Sequence, residues 1–191
     1  MTRVCITDKA NGNSELVVRL MDVEDLLQKL PLIVGWIDRT LGEHASQARS
    51  VADFGFSRLP DFYSESLLSR TKVVVVAKVP TPPLSALGLP EFAAFESGVY
   101  AGITFKDTYF VEASQAANES LHFHELVHVV QWAHLGVERF ILAYAAGLAE
   151  KGYRDSPLEG MAYELQAIFD ANGQAGSVEN FVRARLDEAF H

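Results

Sequence analysis

Residues 124 to 128 read His-Glu-Leu-Val-His, two imidazoles four positions apart with a carboxylate beside the first. On an α-helix, positions four apart differ by about 40° around the axis and about 6 Å along it, so both rings reach one metal ion from the same face. Glu125 is turned away by about 100°, near such an ion without being forced onto it, where a base acting on a metal-bound water belongs. Leu121, Phe123, Leu126, Val127, Val129, Val130, Trp132 and Ala133 surround these groups with apolar side chains on most sides, the pattern of a central, buried helix. Buried titratable groups without partners are costly, and a bound cation offsets that cost. The competing reading makes His124 and His128 hydrogen-bonded core histidines, with Glu125 pairing one of them.

A catalytic zinc keeps three protein ligands and one open position, so a third ligand has to be found. His134 follows His128 by six residues, the spacing of the metzincin pattern HExxHxxGxxH. In that pattern a glycine breaks the helix, but here the position is Gln131 and the helix continues, which turns His134 about 240° from His128 and away from the ion. "GMAY" (160–163) would be the methionine turn of that reading. The other candidate lies in "YRDSPLEGMAYELQ" (153–166): Pro157 opens a helix and Glu159 falls in its first turn, where the helix dipole favours a carboxylate. Glu164 is the runner-up, and its competing role as a solvated surface carboxylate is also the expectation for Glu119, Glu138 and Glu150. His122, turned about 200° from His124, cannot share a metal on a regular helix and is expected at the surface or behind a ligand. His44 and His191 are expected to be solvated.

"HELVHVVQ" (124–131) followed by "SPLEGMAY" (156–163) resembles the gluzincin group of zinc metallopeptidases, especially small bacterial zincin-like proteins in which HELxHVVQ precedes a P-x-E-x-x-A segment. The resemblance covers about residues 99–172. It implies a zincin-like fold, Zn2+ held by His124, His128 and Glu159, Ala162 as the small residue three positions after the ligand glutamate, and Glu125 as the catalytic base. It also implies a peptide or protein substrate. Gluzincins commonly carry an aspartate four positions after the ligand glutamate, behind a zinc histidine; here Tyr163 stands there. A second electrophile would come from Tyr153, Arg154, Tyr163 or His134. The strand before the zinc helix often forms the lip of the cleft in that group, so "GITF" or "TYFVE" would pair with an extended peptide. The function this implies is a zinc-dependent hydrolase, a metallopeptidase in which Glu125 activates zinc-bound water. The alternative is a non-catalytic, zincin-like metal-binding or interaction module.

The elements that must position these groups read as an α+β chain: a small mixed sheet against the central HExxH helix, with further helices C-terminal to it. "RVCIT" and "ELVVRL" flank an Asn-Gly turn and predict a hairpin. Asp22 is placed to cap a helix that Pro31 interrupts, and a second helical stretch is expected over about 32–51. "LPDFYSESLLSR" predicts a short helix, and "TKVVVVAKV" (71–79) a strand buried on both faces. "PTPPLSALGLP" holds four prolines and reads as an extended surface connector between an N-terminal layer (1–79) and a metal-binding part (91–191) of one compact unit. "YAGITF" and "TYFVE" predict strands joined at Lys106 and Asp107, followed by helices over about 118–135, 138–151, 157–172 and 178–190.

The bulk composition fits this reading. With 191 residues, 49% hydrophobic and 21% charged, the chain is long enough for a sizeable core. A net charge of −9 without a basic cluster excludes nucleic acid as the main partner. No stretch reaches the length of a membrane span, and "MTRVCITDKANGNSE" lacks the pattern of a secretory signal. Cys5 is the sole cysteine, so a reducing, cytoplasmic setting is expected. There is no phosphate-binding glycine loop or nucleophile elbow. Oligomeric state and the role of residues 1–98 are not written in these patterns.

Overall fold

Strands Arg3–Ile6 (β1) and Arg19–Asp22 (β2) open the computed structural model, which describes residues 3–6, 19–173 and 176–190. They pair antiparallel, as expected for the flanks of a hairpin, and the Asn-Gly turn between them lies outside the described residues, as does His191. Val23–His44 forms one helix (α1) that runs straight through Pro31 instead of stopping there. The reason is exposure: Pro31 and Leu27, whose carbonyl loses its amide partner, both face outward, where solvent access lowers the cost of the missing bond. Leu26, Ile33 and Ile37 are buried on the opposite face of α1.

Three further segments depart from expectation. The helical stretch does not reach Val51. A capping box between Ser50 and Asp53 starts a separate 3-10 turn there, after a two-residue strand Arg49–Ser50 (β3). Residues 59–70 divide into a 3-10 turn and a helix Glu65–Arg70 (α2), because Ser64 caps the latter by accepting from the Leu67 amide. The valine run gives a strand of only Lys72–Val76 (β4), with Val75 38% exposed rather than buried.

The proline-rich 80–90 segment is not a surface connector. Pro82, Leu84 and Leu89 are buried, since the leucines between the prolines bury more apolar surface folded inward than extended. Glu96, at the end of helix Ala93–Glu96 (α3), closes this loop: its carbonyl accepts from Thr81 Oγ1 and its Oε2 from the Ser85 amide.

Gly102–Phe105 (β5) and Thr108–Glu112 (β6) form the expected hairpin, with Lys106 at φ 59° in its turn. The sheet order is β3-β4-β6-β5, with β4 parallel to β6 and the other pairs antiparallel. "TYFVE" is therefore paired on both sides, and of the two hairpin strands it is "GITF" that lies at a sheet edge. The four expected C-terminal helices are Glu119–Leu135 (α4), Val137–Lys151 (α5), Pro157–Asp170 (α6) and Val178–Ala189 (α7).

The architecture is α+β, with α4 at its centre: it packs against α5, α6, α7 and β5, and every residue from His122 to Trp132 is buried. Ala133, by contrast, is exposed. Trp132 Nε1 donates to the Thr104 carbonyl at 3.1 Å and pins β5 to α4. At Gly147 on α5 a Cβ would lie 2.9 Å from Pro157 Cδ, so only glycine lets α5 approach the start of α6 this closely. No helix among the described residues is long and apolar enough to cross a membrane.

Candidate metal centre

The first turn of α6 aims Glu159 at the face of α4 that carries both motif histidines. Asn118 fixes the register of α4 by capping it, and Pro157 fixes the start of α6. The result brings His124, His128 and Glu159 together, all buried, in a group able to hold a metal ion. His124 Nε2 and His128 Nε2 are 3.1 Å apart, His124 Nε2 lies 3.4 Å from Glu159 Oε2, and His128 Nε2 lies 3.5 Å from Glu159 Oε1. Four-coordinate tetrahedral binding with bonds of about 2.0–2.1 Å separates ligand atoms by about 3.4 Å. The histidine–carboxylate distances lie close to that spacing, though they reach different oxygens of Glu159, and the histidine–histidine distance is about 0.3 Å shorter than it.

The hydrogen bonds explain why these atoms face one another. His128 Nδ1 is 2.8 Å from Gln131 Oε1, and His124 Nδ1 is 3.0 Å from Gln166 Oε1. An amide oxygen only accepts, so both Nδ1 atoms carry protons and both Nε2 lone pairs point inward. Glu159 Oε1 accepts from the Tyr144 hydroxyl at 2.6 Å, whereas Oε2 is buried with no hydrogen-bond partner. Two inward lone pairs and an orphaned carboxylate oxygen fit a cation. Without one, a proton substitutes. Burial alone depresses His128, but the neighbouring Glu159 carboxylate outweighs it and pushes the ring up to about 9. Burial likewise opposes ionisation of Glu159, and the imidazoles, His128 foremost, hold it well below the usual carboxylate range.

Glu125 stands beside this group rather than in it. Its Oε2 accepts from Thr104 Oγ1 at 2.7 Å, and a Cβ at Gly102 would sit 2.4 Å from its Oε1, so β5 needs glycine to lie against the carboxylate. Burial raises the Glu125 pKa above its ordinary value, against the lowering pull of His124 and His128. Glu125, His128 and Glu159 line one wall of a cavity of about 100 Å³. Its other walls are mostly apolar: Ile33 and Ile37 of α1, Leu84 and Leu89 of the proline-rich loop, and Phe140 of α5. The N-terminal layer thus roofs the site.

The remaining candidates separate clearly. His134 lies on the other side of α4, 2.7 Å from Asp187 of α7. Glu164 is exposed, with its carboxylate 3.9 Å from Arg185. Glu138 and Glu150 are exposed as expected, but Glu119 is not solvated: its Oε1 accepts from the amides of Arg58 and Leu59 and caps that turn. Tyr163 packs its ring 4.7 Å from that of His124, Arg154 lies over Tyr163 at 5.0 Å, and Tyr153 lines the cavity.

His122 is neither at the surface nor behind a ligand. It is fully buried, 2.7 Å from the Tyr109 hydroxyl at Nδ1 and 3.0 Å from the Ala116 carbonyl at Nε2, with Phe54 and Phe56 packed on its ring. His44 is also half-buried, edge-on to Phe110.

Sequence reasoning missed Gln131, Gln166, Tyr144, Thr104 and Gly102. For Gln131 a signal existed, since an amide three residues after His128 falls on the same helical face; the others come from distant segments. Comparison of the chain with protein-family models, curated proteins and solved structures returns no match.

Proposed function

We propose that the chain is a zinc-dependent hydrolase of zincin-like fold, most simply a gluzincin-like metallopeptidase, with His124, His128 and Glu159 as zinc ligands. The single observation that carries this reading is the position of Glu125: a buried carboxylate that is not needed to complete the ligand set, yet lines the same cavity as His128 and Glu159. A divalent zinc held there supplies Lewis acidity, which makes water nucleophilic near neutral pH and polarises a carbonyl.

The protein groups have separate tasks. Glu125 accepts a proton at the oxygen not engaged by Thr104 and returns it to a leaving amine, and its raised pKa favours both transfers near neutrality. Tyr153, whose pKa is raised chiefly by burial, keeps its hydroxyl proton and is the best-placed of the four candidate donors to a carbonyl oxygen, because it lines the cavity and Arg154, Tyr163 and His134 do not. The apolar walls exclude water and favour a substrate with a compact aliphatic side chain. Apolar cavities of about 150 Å³ admit benzene, so about 100 Å³ is room for one such group.

The burial of all four polar groups favours a second reading, a closed structural ion site with no turnover. The open volume on the Glu125 side favours hydrolysis instead. The deciding test is Glu125→Gln: zinc stays near one equivalent while cleavage of a mixed peptide library falls by about 10²–10⁴-fold. Unchanged cleavage by the variant overturns the hydrolase reading, and a parent protein that binds zinc but cleaves nothing establishes the structural one.

A further inference from the structure

Gln131 and Gln166 sit behind different histidines, on different helices, and each amide reaches across to the other helix. Gln131, on α4, accepts from His128 Nδ1 and donates through Nε2 to the Leu158 carbonyl at 3.0 Å, in the α6 turn that carries Glu159. Gln166, on α6, accepts from His124 Nδ1 of α4 and donates through Nε2 to Ser120 Oγ at 2.9 Å. The Leu158 carbonyl only accepts and so fixes which end of Gln131 faces its imidazole; Gln166 places its oxygen on His124 and its nitrogen on the Ser120 hydroxyl.

We infer that Gln131 and Gln166 are positioning residues, a reciprocal pair of amides that braces α4 against α6 and presents both Nε2 lone pairs and Glu159 to one divalent cation. The inference rests on the metal-site reading but not on hydrolysis. Three consequences separate it from simple packing. Both rings keep a protonated Nδ1 whether or not the ion is bound. The carbonyl of Leu158 ties the backbone before Glu159 to the helix that carries the other two ligands, so metal binding and the docking of α6 are one event. Both partners are neutral, so the centre has two imidazoles and one ligand carboxylate with no further anion behind the rings.

Partners behind metal-ligating histidines typically affect metal affinity by about 10–100-fold. The probe is zinc alone, with its dissociation constant read by chelator competition, alongside histidine-selective 15N spectra that report which ring nitrogens carry protons. Gln166 is half-buried, so Gln166→Leu tests the brace at a site where folding tolerates change, and Gln131→Leu tests its buried counterpart. Each is expected to weaken zinc by about 10–100-fold and to release the tautomer of its own histidine, while the His122 signals stay in place as a mark of the intact fold. Gln166→Glu keeps an acceptor and is expected to hold the His124 tautomer and bind zinc within a few-fold of the parent. Gln131→Glu keeps its acceptor but loses the donor to Leu158, so it holds the His128 tautomer yet weakens zinc.

A bare Nδ1 on His124 or His128 in the parent overturns the inference. So does zinc affinity within about threefold of the parent in both leucine variants, well short of the usual loss. Absence of peptide cleavage overturns the hydrolase reading alone and leaves both readouts here intact.

Discussion

His122 and His124 stand two residues apart on α4, equally enclosed, and the protein completes one of them and leaves the other open. Around His122 every hydrogen-bonding site is filled by the protein, through the Tyr109 hydroxyl on one nitrogen and the Ala116 carbonyl on the other. Around His124 and His128 other residues fill only the Nδ1 side; the two Nε2 atoms have each other, 3.1 Å apart, and the Glu159 carboxylate, whose Oε2 has no hydrogen-bond partner. Buried polar groups are nearly always satisfied, so the contrast separates a histidine whose partners are complete from two whose group could hold a metal ion, by what is missing beside them. Burial and residue type alone do not make that distinction.

The largest expected effect breaks the open side. His128→Ala removes one of three donors, so zinc affinity should fall by more than about 100-fold, beyond the loss typical for outer partners. Metal analysis after dialysis against a weak chelator checks it, and a full equivalent of zinc in the variant would erase the contrast with His122.

The pH dependence of unfolding sharpens the comparison, because the two environments push their histidines in opposite directions. Burial holds His122 down to about 4, below its ordinary 6.5. The neutral ring's contribution is therefore complete above pH 6.5 and is lost as pH falls towards 4, roughly 3 kcal/mol in all. In ion-free protein His128 is pushed up to about 9, so its contribution is complete below pH 6.5 and is lost as pH rises through 9. Urea unfolding of ion-free protein should thus show greatest stability near pH 6.5. Saturating zinc should remove only the alkaline decline. An alkaline limb that is flat without zinc contradicts the assignment of His128.

The smallest effect breaks the filled side. Tyr109→Phe leaves one nitrogen of His122 without its partner and should cost about 1–2 kcal/mol in thermal or urea unfolding, with zinc content unchanged. A loss of zinc in that variant would mean the two environments are coupled through α4.

Much of this site was legible because helical periodicity is a local property. The spacing of His124 and His128, the capping of α4 and the Pro157 start of α6 all follow from neighbouring residues, and so did the rejection of His134. His122 and Glu119 were misjudged for the opposite reason. Their partners, Tyr109 and the amides of Arg58 and Leu59, come from strands and turns whose approach no local pattern encodes. The same holds for Gln166, whose ring partner is 42 residues away. In the fold, the four long C-terminal helices and the β5–β6 hairpin carried clear signals. Pro31 and the 80–90 prolines misled because proline's effect depends on whether its surroundings are wet or apolar, and only the folded chain decides that.

The central claim is that one cation sits among His124, His128 and Glu159, and the most direct measurement is an anomalous-difference map from crystals of the zinc-loaded protein, collected on both sides of the zinc edge. The expected result is a single strong peak in contact with His124 Nε2, His128 Nε2 and the Glu159 carboxylate, with Gln131 and Gln166 still on the Nδ1 atoms. No peak there, or a peak elsewhere with the two Nε2 atoms hydrogen-bonded to the protein, would contradict it.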